Sequence, residues 1–415
     1  MFSILNCRNI CHYQIIFAMM CLINIISQNS LAISTSTLPS SIYSPAIRYG
    51  HIEGLDQRFT DSGSLVKLTD YKAIEFDAKT LARLNSQAQN LIASLNRFGA
   101  FGLGDSLNLG VLEIQTKPQI NYTAPVLARG MTNRWTLALG VPVIHYQNNV
   151  KLSQSFSNIG YYKNQFSGLS AELDKALNTN IGESTQQALQ AKGYRRLENR
   201  DEKFLGDLQL VSLYKIYEDT DLTIVHQATL SLPTGPRYDA SDLLALNSFH
   251  KTSLENLLSL SVNVGSLWKV TPYTSFRLNL PEKIDARIPT NEEDILPDQN
   301  STENIEKQEG LSLEVGLQNS IDLTDAFRVA IDYRLGVKAE DHYAGSRSGR
   351  YDLLAQNSNS RWQKASVEFV YSTVKSYLKK SSAFPFMLSV NFFDTLSGQN
   401  IERRVGQELS MTLFF

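Results

Sequence analysis

The last eleven residues, Val405 to Phe415, read VGQELSMTLFF. Leu409, Met411, Leu413 and Phe415 fall two apart, with Glu408, Ser410 and Thr412 between and beside them and Phe414 as the exception. Period two is the signature of a strand with one apolar face. Chain ends of soluble domains tend to be frayed and polar. An apolar alternation carried to a final Phe implies a strand paired to its end, as in a closed sheet.

The same alternation recurs upstream. In the strand pattern from Val111 to Arg129, Leu112, Ile114, Ile120, Tyr122, Ala124 and Val126 share one parity. Trp135, Leu137, Leu139, Val141 and Val143 form another set, as do Leu222, Ile224, Ala228, Leu230 and Leu232. The clearest case is FRVAIDYRLGVK, where Phe327, Val329, Ile331, Tyr333, Leu335 and Val337 alternate with polar residues. About eleven such runs appear, each near the roughly 9–11 residues that a tilted strand needs to cross a bilayer.

Composition excludes some alternatives. The chain has 415 residues, a formal charge of -2 and 42% hydrophobic content, with no basic excess of the kind that binds nucleic acid. Apart from the leader-like start, no run approaches the ~20 apolar residues of a membrane helix. That start, YQIIFAMMCLINIISQNSLA, ends in Ser30-Leu31-Ala32 and is expected to be a cleaved export signal spanning residues 1–32. Cys7, Cys11 and Cys21 all lie in it, so the mature chain is expected to carry no disulfide and no thiolate metal site.

Connection lengths separate a barrel from a sandwich, because both alternate. Counted back from a periplasmic C-terminus, short links near 375–383, Leu323 to Asp325, Ser266 to Lys269, Glu218 to Thr220 and Gly130 to Asn133 interleave with long ones. The long links lie near 339–360, 281–309, 234–253 and 150–203; the 396–404 link is short for its place. Short periplasmic turns and longer external loops characterise outer-membrane barrels. The fold class is therefore all-β, a transmembrane antiparallel β-barrel of about 12 strands over residues 105–415. Both termini on one side require an even number, and the missing strand is sought at Ser64 to Leu68 or in FGAFGLGDSLNLG (98–110). The segment 33–104 carries a helical pattern over about 76–97 (Leu81, Leu84, Ala88, Leu91, Ile92, Leu95), expected to plug or cap the barrel or to lie in the periplasm. A second helical pattern, Leu169, Leu173, Leu177 and Ile181, falls in the longest external link.

The parity opposite the apolar faces assigns charged residues to the lumen: Glu113, Lys117, Arg129, Arg277, Glu314, Arg328, Asp332, Arg334, Lys338, Lys364 and Glu368. Mixed signs either brace a barrel or line a selective pore. The stretch 281–310 holds nine acids against three bases and reads as a solvated, mobile loop, with cation binding as the sharper alternative. His51, His145, His226, His250 and His342 show no metal-ligand spacing, and there is no GxSxG elbow, so neither an enzyme nor a cofactor is expected.

Three segments carry a resemblance. ARGMTNRWTLALGVPVIHY (128–146), FLGDLQLVSLYKIY (204–217) and TLSLPTGPRYDASD (229–242) resemble the outer-membrane family named after the meta-pathway of phenol degradation, itself loosely akin to FadL-type hydrocarbon channels. In the last of them Pro233 removes a ladder donor and Gly235 allows a turn, so the motif is a strand exit. No Asn-Pro-Ala start of the FadL kind is present. The resemblance implies an outer-membrane channel for small, hydrophobic or aromatic solutes. The alternative is a structural or adhesive barrel acting through its external loops. The expected partners are outer-membrane lipid, a small solute, and the barrel assembly machinery, which would recognise Leu409, Met411, Leu413 and Phe415.

Overall fold

The computed structural model describes residues 36–415, apart from 68–73, 80–85, 99–101, 169–173, 175–179 and the single positions 247, 293, 295 and 348. The export signal and the pattern Leu169, Leu173 and Leu177 lie outside the described residues.

The described chain forms a closed antiparallel barrel of 12 strands. In chain order they are β1 (Tyr43–Glu53), β5 (Asn108–Thr132), β6 with β7 (Trp135–Gly140, Val143–Ser155), β8 with β9 (Arg200–Leu205, Leu208–Glu218), β10 (Leu222–Leu232) and β11 (Ser253–Val264). Then follow β12 (Trp268–Asn279), β15 (Ser312–Asp322), β16 (Phe327–Lys338), β18 (Ser360–Ser372), β19 (Phe386–Gln399) and β21 (Val405–Leu413). Smaller strands β2 (Gln57–Phe59), β3 (Leu65–Lys67), β4 (Ile74–Asp77), β13 (Glu282–Arg287), β14 (Thr302–Gln308), β17 (His342–Ala344) and β20 (Ile401–Glu402) belong to the connections.

Closure falls on β1. It pairs with β21 from Ala46↔Thr412 to Glu53↔Val405, and with β5 from Tyr43↔Arg129 to Ile52↔Ile120. Tyr43 and Phe415 exchange backbone hydrogen bonds of 3.0 and 2.9 Å, so the last residue of the sequence is paired on this side. The twelfth strand thus precedes both positions where the sequence pattern seeks it, and the barrel begins at Tyr43 instead of residue 105.

Short and long connections alternate around the rim. One end carries the short ones, at 133–134, 219–221, 265–267, 323–326 and 373–385, together with Tyr43 and Phe415. The other, the loop end, carries 54–107, 156–199, 233–252, 280–311, 339–359 and the brief 400–404. The outer face is apolar: Leu313, Val315 and Leu317 on β15 are about half exposed while Ser320 on the other parity is buried. Trp135, Tyr214, Trp268, Tyr371 and Phe415 gather as exposed aromatics near the turn end, the girdle position at a membrane interface. No described helix is long and apolar enough to cross a membrane.

Elements at the loop end depart from the expected open loops. The acidic stretch forms β13 and β14, which pair with each other, β14 also pairing with β17, over a core of Ile284, Ala286, Ile288 and Ile305. It is a small folded sheet, because alternate residues of an acid-rich strand are still apolar. The helix Ser86–Phe98 overlaps the expected 76–97, and its Ile92 and Leu95 pack on Leu107 and Leu109 at the loop-end tip of β5 and on Tyr162. It sits at the loop end and not at the turn end.

On the inner face, four aromatic rings lie across from glycines. Tyr122 faces Gly50, Tyr273 faces Gly316, Trp362 faces Gly336 and Phe393 faces Gly406, each pair in direct register. A Cβ at Gly336 would lie 2.0 Å from the Trp362 ring, so the ring lies flat along the wall only because the opposite residue has no side chain. Gly336→Val is expected to expel Trp362 from this seat and cost about 1–3 kcal/mol. A lowered urea midpoint, followed by the loss of heat-modifiable gel mobility, measures it; an unchanged midpoint contradicts the packing.

Candidate channel interior

The interior has two unlike walls. On one side Ile52, Ile120, Tyr122, Ile144 and Tyr146, from β1, β5 and β7, form an apolar surface. Leu246 and Phe249 from the 233–252 connection are packed on it, so this loop enters the barrel instead of standing outside. Behind it, Leu243 and Leu244 pack with Leu189, Tyr194 and Leu197.

Three interruptions of the strands hold this loop. Pro142 breaks the third strand between β6 and β7, Gly206-Asp207 breaks the fourth between β8 and β9, and β10 ends at Leu232 before Pro233-Thr234-Gly235. Gly206 N–H donates to the Pro142 carbonyl at 2.7 Å. The Thr234 hydroxyl donates to the Gly206 carbonyl at 2.9 Å and accepts from the Leu208 N–H at 2.9 Å. The Asp207 carboxylate accepts three backbone N–H bonds, from Gly235 (2.8 Å), His250 (3.0 Å) and Lys251 (3.2 Å). Both ends of the inward loop are therefore tied to one side chain. His250 adopts a left-handed φ of 64°, and its Nδ1 lies 3.0 Å from the Gly235 carbonyl. The V-P, G-D and L-P-T-G segments that carried the resemblance meet here as one clasp.

The opposite wall is charged. Glu255 and Arg277 are a direct cross-strand pair in side-chain contact. Arg334 lies 3.5 Å from Glu314 and 3.1 Å from Asp332. Tyr273 donates to Asp332 at 2.9 Å, and the Trp362 indole donates to Glu314 at 2.9 Å. The Lys364 ammonium lies 5.1 Å from the Trp362 ring centre. At mid-strand on β1, Arg48 lies 3.9 Å from Glu408, which also accepts from the Tyr122 hydroxyl.

Of the eleven charges assigned to the lumen from parity, the structure places Arg277, Glu314, Arg328, Asp332, Arg334, Lys338, Lys364 and Glu368 on the inner-face parity. Arg328 sits at the turn end with Asp322 at 2.6 Å, and Lys338 at the loop end with Asp341. Glu113, Lys117 and Arg129 are on the other face and are corrected here. The buried parity of β5 is the even one, with Ile120 at 0% and Tyr122 at 5% exposure. Arg129 lies outside, over the Tyr43 ring at 5.0 Å. An apolar residue marks lipid only where the lumen is polar; β5 faces the apolar wall and the inserted loop, so the rule inverts. Sequence reasoning passed over Glu255, although its inward parity was legible, and Arg404, which lies in a connection with no periodicity.

His145 and His226 face outward and pair with polar neighbours, Asp201 at 2.6 Å and Asn256 at 3.1 Å. Among the described residues no cluster of His, Cys, Asp and Glu is arranged to hold a metal.

The loop-end sheet is fastened by carboxylates. Glu309 contacts Lys251 and lies 2.9 Å from Lys307, linking the inward loop to β14. Glu303 accepts from the Tyr351 hydroxyl (2.7 Å), the Ser346 N–H (2.6 Å) and hydroxyl (2.8 Å), and the Arg347 N–H (3.1 Å). Desolvation opposes ionisation of Glu303, but these donors outweigh it and lower its pKa from 4.5 to about 2. A carboxyl depressed on folding stabilises above its unfolded value and loses that contribution as pH falls through the folded one. Pepsin is therefore expected to spare the Tyr351 to Leu354 segment at pH 4 and to cut it as pH approaches about 2. Glu303→Gln should already be cut at pH 4; equal resistance of the two proteins at pH 4 contradicts the clasp.

No family model and no curated protein matches the chain. Among solved structures it is similar to an outer-membrane channel from Pseudomonas putida F1, with a TM-score of 0.53 and 13% identity over 93% of this chain and 100% of that one. Weaker likenesses include the transport unit of the autotransporter AIDA-I from Escherichia coli (TM-score 0.40, 8% identity, 96% of both chains). Another is the CymD monoaromatic hydrocarbon channel (TM-score 0.32, 8% identity, 91% of this chain and 89% of that). The first of these likenesses shows a shared barrel fold, at an identity that leaves function to be argued from the interior itself.

Proposed function

We propose that the protein is an outer-membrane channel for small solutes with an apolar or aromatic body. The observation that carries this reading is the inward loop of 233–252, seated by Leu246 and Phe249 on an apolar lumenal wall and held at both ends by Asp207. A barrel whose interior served only as bracing would have no use for a separate loop narrowing its greasy side. The apolar outer band and aromatic girdle support residence in lipid, and the short-turn end is read as periplasmic. Membership of the phenol meta-pathway family, cleavage after Ala32, and recognition of Leu409, Met411, Leu413 and Phe415 by assembly machinery are parts of the same proposal. Leu409, Met411 and Phe415 are exposed on the outer face, where a factor at the lipid boundary would meet them.

The clasp supplies the test. A charge-assisted hydrogen bond contributes roughly 1.5–3 kcal/mol, so Asp207→Ala removes enough to let the loop leave its seat. In planar bilayers the wild type is expected to give a small, steady conductance. Asp207→Ala should raise it several-fold with open-channel noise, and replacing residues 243–249 by a short Gly-Ser link should raise it further. If all three proteins are folded and silent, the lumen is no passage, and a barrel acting through its loop end becomes the better reading.

A further inference from the structure

We propose that the charged wall holds a binding site for a carboxylate, built from Arg404, Thr395 and Lys364. This names the class of solute for the channel reading, and it rests on that reading only for the statement that the bound molecule is in transit.

The three residues come together by register. Lys364 on β18 is directly opposite Arg334 on β16, and on its other side directly opposite Thr395 on β19. The Thr395 N–H donates to the Arg404 carbonyl at 3.0 Å, which brings the fourth neighbour level with the row. Arg404, Lys364 and Arg277 lie within electrostatic reach of one another although two separate strands and a connection carry them, so these side chains converge on the lumen.

The site is built, and Arg404 and Thr395 bring unpartnered donors to it. Arg404 is 2% exposed and Thr395 1%. Arg404 Nε and Nη1 and the Thr395 hydroxyl have no hydrogen-bond partner. The nearest carboxylate to Arg404 is Glu402, at 3.8 Å from Nη2, beyond hydrogen-bond length. Glu402 is also shared with Arg58, again at 3.8 Å. Buried polar groups in native proteins are nearly always satisfied, and an orphaned guanidinium is among the costliest exceptions. A carboxylate accepting from one edge of the Arg404 guanidinium and from the Thr395 hydroxyl, with the Lys364 ammonium beside it, would satisfy donors that are otherwise orphaned.

The surroundings favour an anion with an apolar body over a hydrated inorganic ion. The inner hairpin of β2 and β3 covers the site from the loop end, with Phe59 packed on Trp362 and Ile401. Phe393, two residues before Thr395 on β19, borders the apolar wall. A carboxylate headgroup on the charged row thus has a hydrophobic surface within reach for the rest of the molecule.

Benzoate is the probe, with benzyl alcohol as its uncharged counterpart. Calorimetric titration of the full mature chain in detergent is expected to show saturable benzoate binding, with benzyl alcohol at least tenfold weaker. Arg404→Gln should weaken benzoate at least tenfold, and Thr395→Val about threefold or more. Absence of saturable binding by the folded wild type overturns the site, as does equal affinity in Arg404→Gln. Should Arg404→Gln fail to give the heat-modifiable form, Thr395→Val decides alone, and unchanged benzoate affinity there overturns the proposal. Conductance in potassium chloride on the same samples separates the two readings. A conducting barrel indifferent to benzoate removes the site and leaves the channel; a silent barrel that binds benzoate keeps the site and removes the channel.

Discussion

Everything in this molecule depends on one requirement: a sheet standing in hydrocarbon must leave no backbone N–H or carbonyl unpaired. Each orphan there costs several kcal/mol, so a membrane sheet must close on itself. Here β1 performs the closure, lying between β21 and β5 with continuous register on both sides. The mutual hydrogen bonds of Tyr43 and Phe415 extend that closure to the end of the sequence. The alternating run VGQELSMTLFF is the other half of the same seam.

Closure fixes an inside, and the inside is used unevenly. Where β1, β5 and β7 meet, the inward residues are apolar and receive the loop tip of Leu246 and Phe249. Where β11 to β21 run, the inward residues are charged and linked across strands. Aromatic rings over facing glycines lie along the wall, because a side chain at the facing position would occupy the same space. Asp207 links this interior to the strand order, because the breaks at Pro142, Asp207 and Pro233 occur on three successive strands and coincide in space.

Much of this was legible in the sequence, and the failures are instructive. Period two identified eleven strands, since outer-face residues such as Ile331, Tyr333 and Leu335 meet lipid regardless of what lies inside. β1 escaped notice because only Tyr43, Ile47 and Tyr49 mark its outer face clearly, with Pro45 interrupting the pattern. The inverted face of β5 was not legible, because Ile120 and Tyr122 are apolar on account of a loop more than a hundred residues away in sequence. The sheet of β13 and β14 was hidden by its acids, which are held by Lys307 of β14 itself and by Lys251 and Tyr351 from other connections. Arg404 has no local signal at all; its importance arises only from the row that the register assembles beside it.

The most direct test of the account is the seam itself. Tyr49 and Leu409 face each other in register, and both are exposed on the outer face. Opposed residues in neighbouring strands have Cα atoms roughly 4.5–5.5 Å apart, within disulfide range. Since the only cysteines are Cys7, Cys11 and Cys21, a Tyr49→Cys, Leu409→Cys double variant of a chain begun at residue 33 carries no other thiols. The account predicts that oxidation of the folded protein gives an intramolecular cross-link, seen as a reducible shift in denaturing gel mobility, while the heat-modifiable form is retained. A folded protein whose two thiols remain free, or that cross-links only between molecules, would contradict closure through β1.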